Sequence, residues 1–163
     1  MAYIEKTIIA GEHIFKEKSF SARYGKKNIP RGPNWNECSE VQRRRNELLK
    51  KKRIVWNICT NFKKSDWWVT LTYRRTERPD SMVMAKKQRS RFIRRLREKL
   101  KKKDIPLTYN AMTERGVKGG LHHHFIIKNV FDIGIIISLW EHGKVHIENI
   151  YTDSMYDLSL IHI

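Results

Sequence analysis

Cysteine, long apolar runs and acidic residues are all scarce in this sequence. The 163 residues include two cysteines, Cys38 and Cys59, which are far apart and form no C-x-x-C pattern. This usage predicts reduced thiols in a cytosolic protein and excludes a small domain held together by disulfides. The longest apolar run, Ile133 to Trp140, is much shorter than the roughly 20 residues that cross a bilayer, and no secretory signal is apparent, so a soluble protein is expected.

The shortage of acidic residues leaves a large excess of positive charge. There are 34 lysines and arginines against 17 aspartates and glutamates, which gives a net charge of +17. This excess predicts a polyanionic partner, with nucleic acid first and an acidic membrane surface second, and charge alone does not separate the two. The hydrophobic fraction of 40% and the length are enough for one domain with its own core and a short appendage.

A run of three histidines lies in a segment with the pattern of a β-strand, Leu121 to Ile127. Side chains two residues apart on a strand share a face, so His122 and His124 converge while His123 points away. The alternative is a solvated histidine cluster or an adventitious metal binder. The apolar residues that follow the histidines favour a strand, because a tag-like cluster needs no strand around it.

A carboxylate and a glycine-rich turn precede the histidines. Glu114 lies eight residues before the first histidine of the converging pair, and Gly116, Gly119 and Gly120 lie between them. A turn there creates an antiparallel neighbour and brings the carboxylate beside the two imidazoles. Two imidazoles and one carboxylate leave coordination positions open for water or a substrate oxygen, which is typical of a catalytic metal site. The predicted ligands of a divalent metal are Glu114, His122 and His124.

Turn residues and hydrophobic periodicity divide the chain into segments. Residues 1–34 end in a turn-rich stretch and are predicted to be an N-terminal extension with one or two strands, whereas residues 35–157 are predicted to form the main domain. Ser39 is expected to cap a helix at its N-terminus, and Gly143 to cap another at its C-terminus. The predicted helices are 39–61, 81–103 and 131–142, and the predicted strands of the main domain are 67–73, 106–113, 121–128 and 144–150.

From residue 67 onward, the predicted order is strand, helix, strand, strand, helix, strand. This order is typical of an α+β protein of the ferredoxin-like, split β-α-β type, in which an antiparallel sheet packs helices on one face. The other face stays free, and the predicted metal site is expected to lie there.

Three segments in series resemble the HUH endonucleases, specifically the rolling-circle replication initiators of bacteriophages and plasmids. Residues 68–73, Trp-Val-Thr-Leu-Thr-Tyr, are similar to the first motif of that family. Residues 114–124 are similar to the second motif, in which a carboxylate and two histidines bind the ion, although His123 stands where the family mostly has an apolar residue. Residues 139–147, from Leu139 to Ile147, resemble a tract that follows in the phage-type initiators.

The resemblance implies a function in DNA replication. Members of this family nick single-stranded origin DNA with a tyrosine, which keeps the 5′ phosphate as a phosphotyrosine and releases a 3′ hydroxyl that primes synthesis. For this chain the resemblance implies a metal site at the carboxylate and the two histidines, whose mixed ligands suit Mn²⁺ or Mg²⁺, with Zn²⁺ or Ni²⁺ as the alternatives in vitro. It also implies single-stranded origin DNA and host replication proteins as partners, no membrane, and a location in the cytoplasm of a bacterial host cell.

The third motif of the family, a nucleophilic tyrosine on a helix with a lysine nearby, is not matched. Tyr151 and Tyr156 are the only tyrosines after the histidines, and no lysine follows either of them. Residues 158–163 resemble a translated transposon end used in preparing sequencing libraries. The sequence therefore predicts a truncated gene, a nuclease domain that is incomplete at its C-terminus, and a non-native tail. The true nucleophile is then expected beyond Asp157, with Tyr156 as the fallback ahead of Tyr151. The alternative is that both tyrosines are ordinary aromatic residues.

The helix predicted over residues 81–103 is strongly basic and is expected to contact the DNA phosphates. A solvated helix face is the alternative for each of its cations. Trp67, Trp68 and Tyr73 could stack on unpaired bases. Strand alternation favours a core role on at least one face, so these aromatic residues are not assigned to binding. The predicted nucleic-acid contacts are Lys86, Lys87, Arg91, Arg94 and Arg95.

Two other classes of protein remain open. One is a non-catalytic nucleic-acid binding module in which the histidines are incidental. The other is an enzyme of the same superfamily with a different role, a plasmid relaxase or a transposase. A non-catalytic module explains the charge but leaves Glu114 and the glycine turn unexplained.

Overall fold

The computed structural model describes residues 3–21, 39–117 and 119–150. The chain divides into two compact units, Met1–Asn61 and Phe62–Ile163. None of the helices in the described ranges is both long enough and apolar enough to cross a membrane. The predicted domain boundary at residues 34 and 35 and the predicted tail at 158–163 lie outside the described residues and stay predictions.

The first unit contains a β-hairpin and a long helix. Strand β1 (Tyr3–Ala10) pairs antiparallel with strand β2 (His13–Phe20), and helix α1 spans Glu40–Asn61. Gly11 turns the hairpin with a φ of 59°, and a Cβ there would lie 2.2 Å from the carbonyl oxygen of Cys59. Glycine is therefore required at this turn both by its left-handed backbone and by the close approach of the helix.

The N-terminus of α1 is capped as predicted. The backbone N–H of Gln42 donates to the hydroxyl of Ser39 over 3.2 Å, which satisfies one of the open donors of the first turn. The side chain of Gln42 donates to Asn46 instead of returning to the cap residue. The cap is thus a single hydrogen bond and not a reciprocal pair.

The second unit is an α+β fold with the predicted order of elements. Its strands are β3 (Trp67–Thr72), β4 (Tyr109–Arg115), β5 (Leu121–Ile127) and β6 (Val145–Asn149). Its helices are α2 (Met82–Lys101) and α3 (Gly134–Leu139), with a short 3₁₀ turn at Arg75–Glu77. The strands form one antiparallel sheet in the order β4-β5-β3-β6. Strand β5 separates β3 from β4, which is the split β-α-β arrangement.

One face of this sheet carries the core of the unit. Burial alternates along β3, where Trp67, Val69 and Leu71 are buried and the residues between them are half-buried. Both helices pack on this same face, because their buried side chains join the same cluster. The helix residues in the cluster are Ala85, Phe92, Ile93, Leu96 and Leu100 of α2, and Ile135 and Ile136 of α3. We call the face of the sheet that carries this core the helix-covered face, and the opposite face of the sheet the second face.

The third helix is shorter than predicted, and the predicted cap is wrong. Helix α3 ends at Leu139, and Trp140 already has extended backbone angles, φ −95° and ψ 101°. The indole N–H of Trp140 donates to the carbonyl oxygen of Thr72 over 2.9 Å, which draws the chain towards β3. A Cβ at Gly143 would lie 2.1 Å from the same carbonyl oxygen. Glycine is needed there for close approach to β3 and does not end a helix.

Candidate metal centre

The hairpin of β4 and β5 brings the predicted ligands onto the second face. Glu114 lies directly opposite His122 in the strand register, and Met112 lies opposite His124. The turn closes through a hydrogen bond of 2.8 Å from the N–H of Gly116 to the carbonyl oxygen of Gly120. The predicted glycine turn and the predicted shared face of the three side chains are therefore both present.

The three ligand groups converge at close range. The Oε1 atom of Glu114 lies 2.7 Å from Nε2 of His122 and 2.9 Å from Nε2 of His124. One ligand atom from each of the three residues lies within 4.8 Å of the other two ligand atoms. This arrangement could hold a metal ion. The side chain of Glu114 is 33% exposed, that of His122 is 21% exposed and that of His124 is 15% exposed. A substrate can therefore reach the group from solvent, which suits a catalytic site better than a closed structural one.

Burial and hydrogen bonding set the charge of this group. Burial raises the pKa of Glu114, but the hydrogen bonds from His122 and His124 outweigh it and leave the pKa below its ordinary value. Burial is also the main cause that lowers the pKa of His124. A carboxylate and a neutral imidazole are the forms that bind metals, so the site is electrostatically prepared for a cation near neutral pH.

Residues around the ligands hold the ring of His124 in place. The hydroxyl of Thr70 lies 3.0 Å from Nδ1 of His124. The indole of Trp68 stacks on the same imidazole ring, with 5.2 Å between the ring centroids and 28° between the ring planes. The Nδ1 contact leaves Nε2 directed at Glu114, where an ion would bind. Sequence reasoning missed this role of Thr70, although the pairing of the two strands in register would have indicated it.

The middle histidine is part of the core. His123 is completely buried on the helix-covered face, as the strand alternation predicts. Its Nε2 lies 2.6 Å from the hydroxyl of Tyr73, and its Nδ1 lies 2.9 Å from the hydroxyl of Thr113, to which Arg89 also donates over 2.9 Å. Burial is the main cause that lowers the pKa of His123 to about 3. The residue is therefore a neutral, fully hydrogen-bonded imidazole and not a metal ligand.

The aromatic residues of the first motif fall on both faces. Trp67 and Tyr73 belong to the core cluster, whereas Trp68 lies on the second face beside the candidate metal ligands Glu114, His122 and His124, which we call the metal-binding group. The expectation of a core role for one face of this strand is thus confirmed. Trp68 is half-buried, with one side of its indole covered by His124.

The predicted nucleic-acid contacts lie away from the metal-binding group. Lys86, Lys87, Arg91 and Arg94 are exposed on α2, which packs on the helix-covered face. Arg95 is half-buried and donates to the carboxylate of Glu141 over 2.7 Å. The structure does not bring these five cations to the site on the second face, and their contact with nucleic acid stays a prediction. The predicted tyrosine residues, Tyr151 and Tyr156, lie outside the described residues, as does Cys38.

A comparison with protein families gives a match over the second unit of the chain. The sequence model of a family described as Replication-associated protein ORF2 matches residues 66–159, more than half of the chain. Neither a curated protein nor a solved structure matches this chain. The matched segment runs from the start of β3 past β6 and contains the carboxylate and both histidines of the metal-binding group. The chain therefore belongs to the ORF2 family of replication-associated proteins.

Proposed function

We propose that this protein is an HUH-type replication initiator of a bacteriophage or plasmid that nicks single-stranded origin DNA. The observation that carries the proposal is the convergence of Glu114, His122 and His124 on a solvent-accessible face of the sheet. Membership of a replication-associated family and the motif order seen in the sequence support it. The proposed partners are single-stranded origin DNA and host replication proteins, in the cytoplasm of a bacterial cell.

The donor set fits a divalent metal, for which we propose Mn²⁺ or Mg²⁺. Two imidazole nitrogens and one carboxylate oxygen form a mixed set that leaves several coordination positions open. When bound, the ion neutralises the non-bridging oxygens of the scissile phosphate and orients it for in-line displacement. The chain itself contributes rigidity, because Glu114 and the histidines lie on paired strands and Thr70 fixes one imidazole ring.

The proposed reaction is a transesterification. The hydroxyl oxygen of a tyrosine forms a bond to phosphorus and gives its proton to solvent, and the bond from phosphorus to the 3′ oxygen breaks. The departing 3′ oxygen takes up a proton, so the products are a 5′-phosphotyrosine and a free 3′ hydroxyl. Tyr156 is the proposed nucleophile, and a host polymerase extends the 3′ hydroxyl.

A two-part experiment tests the proposal. The first part measures Mn²⁺ binding by calorimetry for the wild-type chain, for H122A and H124A, and for the control H146A. His146 is a suitable control because it lies on strand β6, which β3 separates from the histidine strand β5. Its side chain is 69% exposed and pairs with Glu148 instead of Glu114. We expect H122A and H124A to lose the site and H146A to keep it. Equal binding by all four proteins would refute the assignment.

The second part looks for the covalent intermediate. The chain is incubated with Mn²⁺ and a pool of random single-stranded oligonucleotides, and adducts that survive denaturation are collected and sequenced. We expect adducts with the wild-type chain and none with Y156F or with H122A. An intact Mn²⁺ site without any adduct would exclude Tyr156 as the nucleophile of this chain.

A further inference from the structure

Helix α1 carries a concentration of positive charge that the family match does not cover. Its residues 40–53 include seven lysines and arginines and two glutamates, and they lie before the matched segment 66–159. The metal-binding group lies entirely in the second unit, so the proposed nicking site gives this helix no role. The cations are Arg43, Arg44, Arg45, Lys50, Lys51, Lys52 and Arg53.

The two halves of α1 differ sharply in their surroundings. Residues 40–50 are all exposed, including the apolar side chain of Val41 at 78%. The second half packs on the β1–β2 hairpin, because the rings of Trp56 and Phe15 lie with their centroids 6.4 Å apart and the ammonium of Lys6 lies over the indole of Trp56. The first half is thus an exposed helix of about 16 Å, at roughly 1.5 Å per residue, attached to an anchored second half.

The cations of α1 surround the helix instead of forming a stripe. Successive residues of an α-helix are rotated by about 100°, so Arg43, Arg44 and Arg45 alone cover more than half of the circumference. Lys50 returns to the side of Arg43, and Arg53 fills the remaining sector. A helix that lies on a membrane segregates its charged and apolar residues, which this one does not do.

Most of these cations have no acidic partner. Arg44 pairs with Glu40, and Lys52 pairs with Glu17. The other five cations form no ion pair within the described ranges. Their charge is therefore available to an external polyanion, and it would repel a second copy of the same helix.

We infer that the basic part of α1, residues 40–53, is a second DNA-binding element, which enters the major groove of a duplex and contacts phosphates on both walls. A helix with its side chains is about 10–12 Å across, which matches the roughly 12 Å width of the major groove of B-DNA. Cations on all sides suit two walls of phosphates, whereas a single strand on one side would use only part of them. The deep, narrow major groove of an RNA duplex does not admit such a helix.

Duplex binding by metal-free protein tests this inference independently of the nicking activity. The full chain in EDTA is titrated into a fluorescent 20-base-pair DNA duplex at several salt concentrations. The variant R43Q/R45Q/K50Q removes three unpaired cations and keeps helix-favouring side chains. We expect its affinity to fall and the slope of log K against log salt to decrease in magnitude by about 2–3, because each phosphate contact contributes about 0.9.

A matched variant separates a specific surface from net charge. R74Q/R75Q/R78Q removes three exposed cations at and beside the 3₁₀ turn Arg75–Glu77, and we expect its slope to change by less than about 1. K50Q/K51Q/R53Q provides a second test on α1, and circular dichroism checks that each variant keeps its helix. Equal losses for the α1 variants and for R74Q/R75Q/R78Q would overturn the inference, as would unchanged duplex binding of both α1 variants. Concentration-dependent dimerisation that is lost in V41N/L48N would also overturn it, because the helix would then pair with its own copy.

Discussion

Acid should destabilise this protein through one buried imidazole. His123 is completely buried and its folded-state pKa is about 3, against an ordinary value of 6.5. The folded state keeps this ring neutral, whereas the unfolded chain takes up a proton once the pH falls below 6.5. Between pH 6.5 and pH 3 the unfolded state therefore binds more protons, and the free energy of unfolding falls with falling pH.

The size of this effect follows from the two pKa values. Each pH unit inside the window costs up to about 1.4 kcal/mol, so a change from pH 7 to pH 5 removes about 2 kcal/mol. This is a large part of the roughly 5–15 kcal/mol that stabilises a typical domain. The lowered pKa values of His124 and Glu114 act in the same direction, so the test must isolate the buried ring.

The double variant H123L/Y73F isolates the contribution of His123 to the pH dependence of stability. Leucine at position 123 removes the titrating imidazole. Phenylalanine at position 73 removes the hydroxyl that would otherwise lose its hydrogen-bond partner. The hydroxyl of Thr113, the other partner of the imidazole, still accepts from Arg89. Stability is measured by urea unfolding in EDTA at pH 7, 6 and 5, with Y73F alone as the control that retains the imidazole. We expect the double variant to lose about 2 kcal/mol less than Y73F between pH 7 and pH 5. Identical losses in the two proteins would refute a neutral, buried His123.

Two further predictions concern metal affinity, and calorimetry with Mn²⁺ measures both. T70V removes the hydroxyl beside the second histidine ligand, and we expect affinity to fall by about 10-fold, as is usual when an outer-shell partner is lost. T72V, on the same face of β3, should leave affinity unchanged, and equal losses would contradict a specific role for Thr70. G116A would place a Cβ 2.9 Å from the ring of the first histidine ligand, so it should weaken binding. G120A meets nothing within 4 Å and should not weaken binding, so the reverse order would be inconsistent with this steric account.

The metal-binding group could be predicted because its determinants are local. The two-residue period of a strand fixes the faces of His122, His123 and His124 whatever the rest of the chain does. A short glycine turn fixes the partner strand, so Glu114 must return close to the pair. The order of the elements follows in the same way from periodicity and turn residues.

The parts that sequence reasoning missed depend on contacts between distant segments. The run from Ile133 to Trp140 has helical character throughout, yet Trp140 leaves the helix to donate to a carbonyl oxygen 68 residues away. Asp66 is buried and accepts from the backbone N–H groups of Lys63 and Asn129, the latter 63 residues distant. Neither contact has a local signal, because each becomes favourable only after the sheet has formed.

The position of the metal-binding group limits which cations can act with it. The group lies on the second face of the sheet, whereas α2 packs on the helix-covered face. A phosphate at the carboxylate and histidines is thus separated from Lys86 and Arg91 by the thickness of the sheet and a layer of side chains, about 10 Å or more. A single nucleotide cannot contact both, so a DNA strand that uses both surfaces must pass around an edge of the sheet. Under the proposed nicking function, contacts with α2 would hold DNA that flanks the scissile phosphate, and we predict that their loss weakens DNA binding without changing the affinity of the site for metal.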